Sequence, residues 1–306
     1  MRYIIIVLVT FFSFFTLNLK AETETTCVRN ADGEIIVAND SNIVTDTDGN
    51  QGDSCKEVPD VYRLKFYKVG MCTANPIASE PTDYSTCSYF LDNTTGTTLD
   101  ITMPATSDLA ITSLPENGTY GYMIMLISNG LQLKHTETFS AAVKGKGGTA
   151  GKFCSTNSAI TAYGDIKTSG DIGDPVATDV SDTSTLGMTC ASSAPTAEFT
   201  TEYVDTFGDG SFVANTAEGF TLTGGVMTAR LLQNDNTTTA TSGDNAERAA
   251  VAFTFTTPQV VTASSQYELN FKINSSVSVD LAYSGGSVWA VKNGADPFQV
   301  YMNISN

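Results

Sequence analysis

The chain has 306 residues, with 33 Asp and Glu against 16 Lys and Arg, a single His, and a formal charge of −17. That balance excludes a nucleic-acid binder working by phosphate neutralisation. One imidazole argues against His-based triads and His metal cages, while 41 % apolar and 9 % aromatic residues suffice for packed cores and exclude a wholly disordered chain.

Arg2 precedes an apolar run from Tyr3 to Leu19, closed by Lys20-Ala21 before the acidic Glu22-Thr-Glu24. A positive start, an apolar stretch and a small residue read as a secretory signal over 1–21, cleaved after Ala21. A retained anchor competes, but 17 residues interrupted by Ser13 and Asn18 are short for a bilayer span. Removing 1–21 takes Arg2 and Lys20 and leaves 14 cations against 33 acids. We expect no membrane span after cleavage. Localisation is secreted, extracellular or cell-surface, and periplasmic in a bacterial host.

Residues 22–60 read as an acidic N-terminal extension or hairpin. Within it, Asp46, Asp48, Asn50, Asp53 and Glu57 place oxygens at short intervals, a pattern that can wrap calcium. Counted from Asp46, the loop resembles the EF-hand pattern at its first, third, fifth and twelfth positions. It departs from that pattern at Gln51, where Gly is required, and carries Cys55 inside the loop. The plain alternative is a solvated turn.

Residues 61–155 predict a first β-sandwich. Tyr62, Leu64 and Phe66 alternate, as do Leu99, Ile101 and Met103, then Tyr120, Tyr122, Ile124 and Leu126. Asn129-Gly130 between this run and Leu131, Leu133 and His135 predicts a tight hairpin. His135, beside Lys134 and Thr136, reads as a surface histidine. Leu114-Pro-Glu-Asn-Gly-Thr-Tyr120 resembles the Leu-Pro-x-Gly-x-Tyr turn of transthyretin-like and collagen-adhesin-type repeat sandwiches. The likeness covers seven residues and implies only a turn entering a core strand. Lys144 to Phe153 suggests a phosphate loop, but Lys146 and Phe153 stand where Gly and Ser or Thr are needed.

Residues 156–196, rich in Gly, Asp, Ser and Thr, read as a linker. Its acids Asp165, Asp171, Asp174, Asp179 and Asp182 are expected to be solvated. Residues 197–306 predict a second sandwich from Val251, Phe253 and Phe255, then Tyr267, Leu269, Phe271 and Ile273, and the later runs. Its last strand, with Phe298, Val300, Met302 and Ile304 alternating, is either buried or an assembly strand completing a neighbouring copy's sheet.

Six cysteines, Cys27, Cys55, Cys72, Cys87, Cys154 and Cys190, in an exported chain predict three disulfides. Fifteen connectivities exist; pairing of neighbours in chain order is the one we expect. The 44 Thr and the alternating runs predict an all-β fold. We expect two antiparallel β-sandwich domains, Ig-like or jelly-roll-like, after a signal peptide. The function expected is a structural or adhesive protein outside the cell or at its surface, a subunit of an extracellular assembly. It needs no catalysis, and no cofactor beyond calcium. Its partners are further copies, other surface proteins or glycans. Two other classes stay open: a calcium-assisted carbohydrate-binding module, and a secreted glycan-active enzyme using paired carboxylates. The triplets at Asn93, Asn117, Asn236, Asn274 and Asn303 accept glycans only in a host with that machinery.

Overall fold

The computed structural model describes residues 26–37, 44–45, 51–102, 111–158, 160–163, 187–204, 206–207, 211–214, 220–222, 224–283, 289–295 and 298–305. Its elements are almost entirely strands. They run β1 (Val44–Thr45), β2 (Gln51–Glu57), β3 (Val61–Cys72), β4 (Cys87–Ile101), β5 (Gly118–Ser128), β6 (Gly130–Lys134), β7 (Thr136–Lys144), β8 (Ala150–Thr156) and β9 (Ile160–Tyr163). The rest are β10 (Met188–Ala191), β11 (Thr200–Val204), β12 (Phe220–Leu222), β13 (Gly225–Leu232), β14 (Arg248–Val261), β15 (Gln266–Lys272), β16 (Val277–Tyr283), β17 (Trp289–Ala295) and β18 (Gln299–Ser305). Two short 3-10 turns interrupt them, and no α-helix occurs among the described residues. The protein is all-β.

The first sheet runs β1-β2-β16-β17-β7-β8-β10. The second runs β12-β13-β14-β5-β3-β6-β11-β9, with β4 also paired to β3; β15 and β18 form a two-stranded third. Most pairings are antiparallel; β9 with β11 and the single β7–β17 pair are parallel. Strands on either side of 156–196 hydrogen-bond to each other. β14 runs along β5 from Arg248↔Ser128 to Val261↔Gly118, and β16 runs along β2 from Val277↔Glu57 to Ala282↔Gly52. The sheets therefore do not divide at that segment, as two separately folded sandwiches require.

Period-two alternation explains β3: Tyr62, Leu64 and Phe66 are buried, while Val61, Arg63 and Lys65 reach the surface. Strand β5 is different. Met123 and Met125 join the main core, whereas Ile124 and Leu126 join a smaller cluster with Tyr67, Ile77, Leu232, Ala250 and Ala252 on the other side. Both faces are covered, so the run Met123–Ile127 is apolar throughout. The cover is the segment between Cys72 and Cys87, fastened to the 233–240 turn by Thr82 N–H to Thr237 O (2.9 Å) and Tyr84 Oη–H to Asn236 O (2.9 Å).

The expected hairpin at Asn129-Gly130 is not there. Strands β5 and β6 both run antiparallel to β3, with Phe66↔Ile127 followed by Arg63↔Gln132 and Val61↔Lys134, so the chain continues in one direction. Neither residue takes a positive φ. Asn129 is buried at 1 % exposure; its N–H donates to Glu247 O (3.2 Å) and its Nδ2 to Ala246 O (2.6 Å). Tertiary hydrogen bonds hold Asn129 in a bend, a bulge that does not reverse the chain, where the flanking strand changes from β14 to β11.

The six cysteines pair as Cys27–Cys55, Cys72–Cys87 and Cys154–Cys190. The last two bridge residues directly opposite each other, in β3–β4 and β8–β10. The first ties the N-terminal segment to β2. One continuous core draws on all three sheets, including Phe66, Phe139, Phe253, Val279, Phe271 and Val300.

Candidate functional site

The N-terminal segment 26–37 bridges two strands of the first sheet. Ile35 N–H donates to Thr138 O and Ser140 N–H to Ile35 O, both at 2.8 Å, while Cys27 N–H reaches Lys56 O at 3.3 Å. Arg29 stands between them. Its Nη1 and Nη2 fork onto Glu137 at 3.0 and 2.7 Å, Nη2 also lies 2.8 Å from Glu57 Oε1, and Nη1 donates to Gly33 O at 2.9 Å. A planar guanidinium fits such paired carboxylates better than an ammonium does.

His135 sits at the corner where the chain passes from β6 in the second sheet to β7 in the first. It is 2 % exposed, so the surface assignment is corrected: His135, Glu137 and Phe139 share one parity and face inward together. Its Nε2 lies 3.1 Å from Glu137 Oε1, and its Nδ1 has no hydrogen-bond partner. Burial disfavours the ionised Glu137 carboxyl, but the His135 and Arg29 contacts outweigh burial and hold it below the usual carboxylate range. The main-chain N–H of His135 donates to Thr156 Oγ1 (3.1 Å), which itself donates to Glu198 O (2.6 Å). The geometry is that of a brace: an acid held ionised by the Arg29 guanidinium with the buried imidazole on its other side, and no described hydroxyl hydrogen-bonded to that imidazole.

A second feature lies on the outer face of the second sheet. The Arg63 guanidinium sits 3.7 Å above the Phe199 ring centre, with Lys134 Nζ at 4.6 Å from the same ring. Arg248 lies 4.1 Å and Lys65 Nζ 5.5 Å from Tyr67, and Lys68 Nζ is 4.6 Å from Tyr89. Burial pushes the Tyr89 hydroxyl up to about 12 and the Tyr84 hydroxyl higher, so both rings stay neutral.

Asp46, Asp48 and Asn50 lie outside the described residues, as do the signal segment and the linker acids. Asp53 and Glu57 fall on β2, which is extended, and Glu57 faces Arg29. No group of three or more His, Cys, Asp or Glu able to hold a metal occurs among the described residues. Phe298, Val300 and Met302 are buried in this chain's own core, with Ile304 packed against it, and β18 pairs β15 from Gln266↔Ser305 to Lys272↔Gln299. Two long-range polar contacts, the first at the exposed Glu80, had no sequence signal. Arg230 reaches Glu80 at 2.7 Å across 150 residues, and buried Glu202 accepts from Ala295 N–H. No helix among the described residues is long and apolar enough to cross a membrane. Comparisons with protein-family models, curated proteins and solved structures find no match.

Proposed function

We propose that the chain is an exported, disulfide-braced β-sandwich protein that serves as a structural or adhesive component at the cell surface or beyond it. The carrying observation is where its cross-links fall: three disulfides pin the N-terminal segment and two strand pairs. Such bridges persist in oxidising compartments. Buried Glu137 is engaged by internal partners, which favours a scaffold over acid–base work on a substrate. The third sheet supports assembly. Because β15 and β18 pair only with each other among the described residues, β18 is the strand a neighbouring copy can receive.

A cross-link tests this. Leu269 and Met302 are opposite partners in β15 and β18. In L269C/M302C, oxidation of the assembled protein should give covalent multimers on non-reducing gels. A bridge confined to single chains, in material that also sediments as monomer, overturns the assembly reading. Calcium at Asp46, Asp48, Asn50, Asp53 and Glu57 remains a subsidiary proposal. It predicts a higher melting temperature with calcium, abolished by Asp48→Ala; an unchanged melt in both proteins removes it.

A further inference from the structure

Three asparagines in the chain precede a glycine: Asn117, Asn129 and Asn293. In such a pair the following main-chain nitrogen carries no Cβ beside it and is open to the asparagine side chain. The fold treats the three differently. Asn129 is 1 % exposed and gives its Nδ2 to Ala246 O at 2.6 Å, while Gly130 packs so closely on Tyr203 that a Cβ there would stand 3.1 Å from the ring. Asn293 is also 1 % exposed, on β17 opposite Val279, and the Glu202 carboxylate reaches within 2.8 Å of where Gly294 would carry a Cβ. Asn117 lies outside the strands, at a bend just ahead of β5, and is exposed. Its side chain makes no hydrogen bond among the described residues. The main chain on either side is tied down. Glu116 N–H donates to Ser88 Oγ at 2.9 Å, Tyr120 Oη–H donates to Glu116 O at 2.8 Å, and Gly118 stands opposite Val261 of β14.

From this contrast we infer that Asn117 is a site of spontaneous covalent modification, at which its carboxamide is lost and part of the product is an isoaspartyl link. The Gly118 nitrogen gives its proton to solvent base and attacks Asn117 Cγ. The bond from Cγ to Nδ2 breaks, Nδ2 leaves as ammonia, and a five-membered cyclic imide closes. Water then adds to one of the two imide carbonyls. Opening on one side gives Asp; opening on the other gives isoaspartate, with the main chain rerouted through Cβ and Cγ. Nothing is oxidised or reduced: one water enters and one ammonia leaves. At Asn129 and Asn293 burial keeps out the water and base that these steps need. Either product adds a carboxylate to an already acidic molecule, and the isoaspartyl product lengthens the main chain by one carbon between Glu116 and Gly118. The tie from Tyr120 to Glu116 spans that point, so the entry to β5 loosens as the protein ages. The inference goes beyond the scaffold reading and does not depend on exchange of β18.

The test is peptide mapping by mass spectrometry after incubation of the full, disulfide-bonded chain in mildly alkaline buffer. The chain is made in a host that adds no N-glycans, because Asn117-Gly-Thr119 is also an acceptor triplet. The Asn117 peptide should become heavier by about one mass unit and split into two chromatographic forms, Asp and isoaspartate, while the Asn129 and Asn293 peptides stay unchanged. In the reduced chain unfolded in guanidinium chloride all three should convert. Gly118 has no positive φ, and a Cβ there would meet the Tyr120 ring at 3.4 Å, an ordinary contact. Gly118→Ala should therefore keep the wild-type melting temperature and convert about tenfold more slowly. An unmodified Asn117 in the folded chain, equal conversion of the three asparagines in the folded chain, or a Gly118→Ala variant that converts as fast as wild type overturns the inference.

Discussion

Arg29 is one side chain on which two strands lean. Replacing it with Ala leaves Glu137 buried with its main cation gone, and we expect a loss of about 3 kcal/mol in urea unfolding. Glu34→Gln, which breaks a solvent-screened ion pair with the half-exposed Lys152 (2.6 Å), should change stability far less by the same measurement. Acidity probes the same brace. The Glu137 carboxyl is held below its ordinary range in the folded state, so its contribution is present above the unfolded carboxylate value and is lost as pH falls through the folded one. Stability measured from pH 7 to 3 should therefore fall more steeply in wild type than in Glu137→Gln. Some of this was open to a reader of the sequence: His135, Glu137 and Phe139 alternate, and Phe139 says which face is inward. The partner was not, because Arg29 lies 108 residues away and no local period points to it.

Strands show where local rules win and where they yield. Alternation located β3, β14, β15 and β18 because each has one face toward a core and another toward water or a thinner cover. Asn129-Gly130 has the composition of a tight turn, yet buried hydrogen bonds to the chain at 246–247 hold it as a bulge that does not reverse the chain. Asn129→Ala should then cost about 1–3 kcal/mol, since Ala246 O loses its donor in the interior, and a calorimetric melt reads the change. Packing between strands also fixes Gly151. A Cβ there collides with the main chain of Ala191 on β10, next to the Cys154–Cys190 pair. Gly151→Ala should slow or prevent that bridge, seen as free thiol in a labelling assay at Cys154 and Cys190.

At the level of the whole molecule, cysteine parity and the apparent export signal led to three bridges, and three are formed. The expected boundary at 156–196 rested on composition, which reports how polar a segment is and not which strands it brings together. Pairing of β14 with β5 joins the two sides. Residues 61–155 or 197–306 expressed alone should show no cooperative thermal transition; a sharp melt in either would restore separate domains. Removing the Cys27–Cys55 bridge, which closes 28 residues, should cost about 3–4 kcal/mol. Because it also frees the segment bearing Arg29, Cys27→Ser combined with Arg29→Ala should fall short of the two losses added together.

The partnership of β5 with β14 has a consequence in time. A ribosome delivers residues 118–128 well before 248–261, so Ile124 and Leu126 wait without a neighbour on that edge while more than a hundred residues are still being made. Long-range pairing of this kind folds slowly and leaves sticky edges bare. A nascent chain of this design gains from being kept unfolded by a holding chaperone until its final third has emerged.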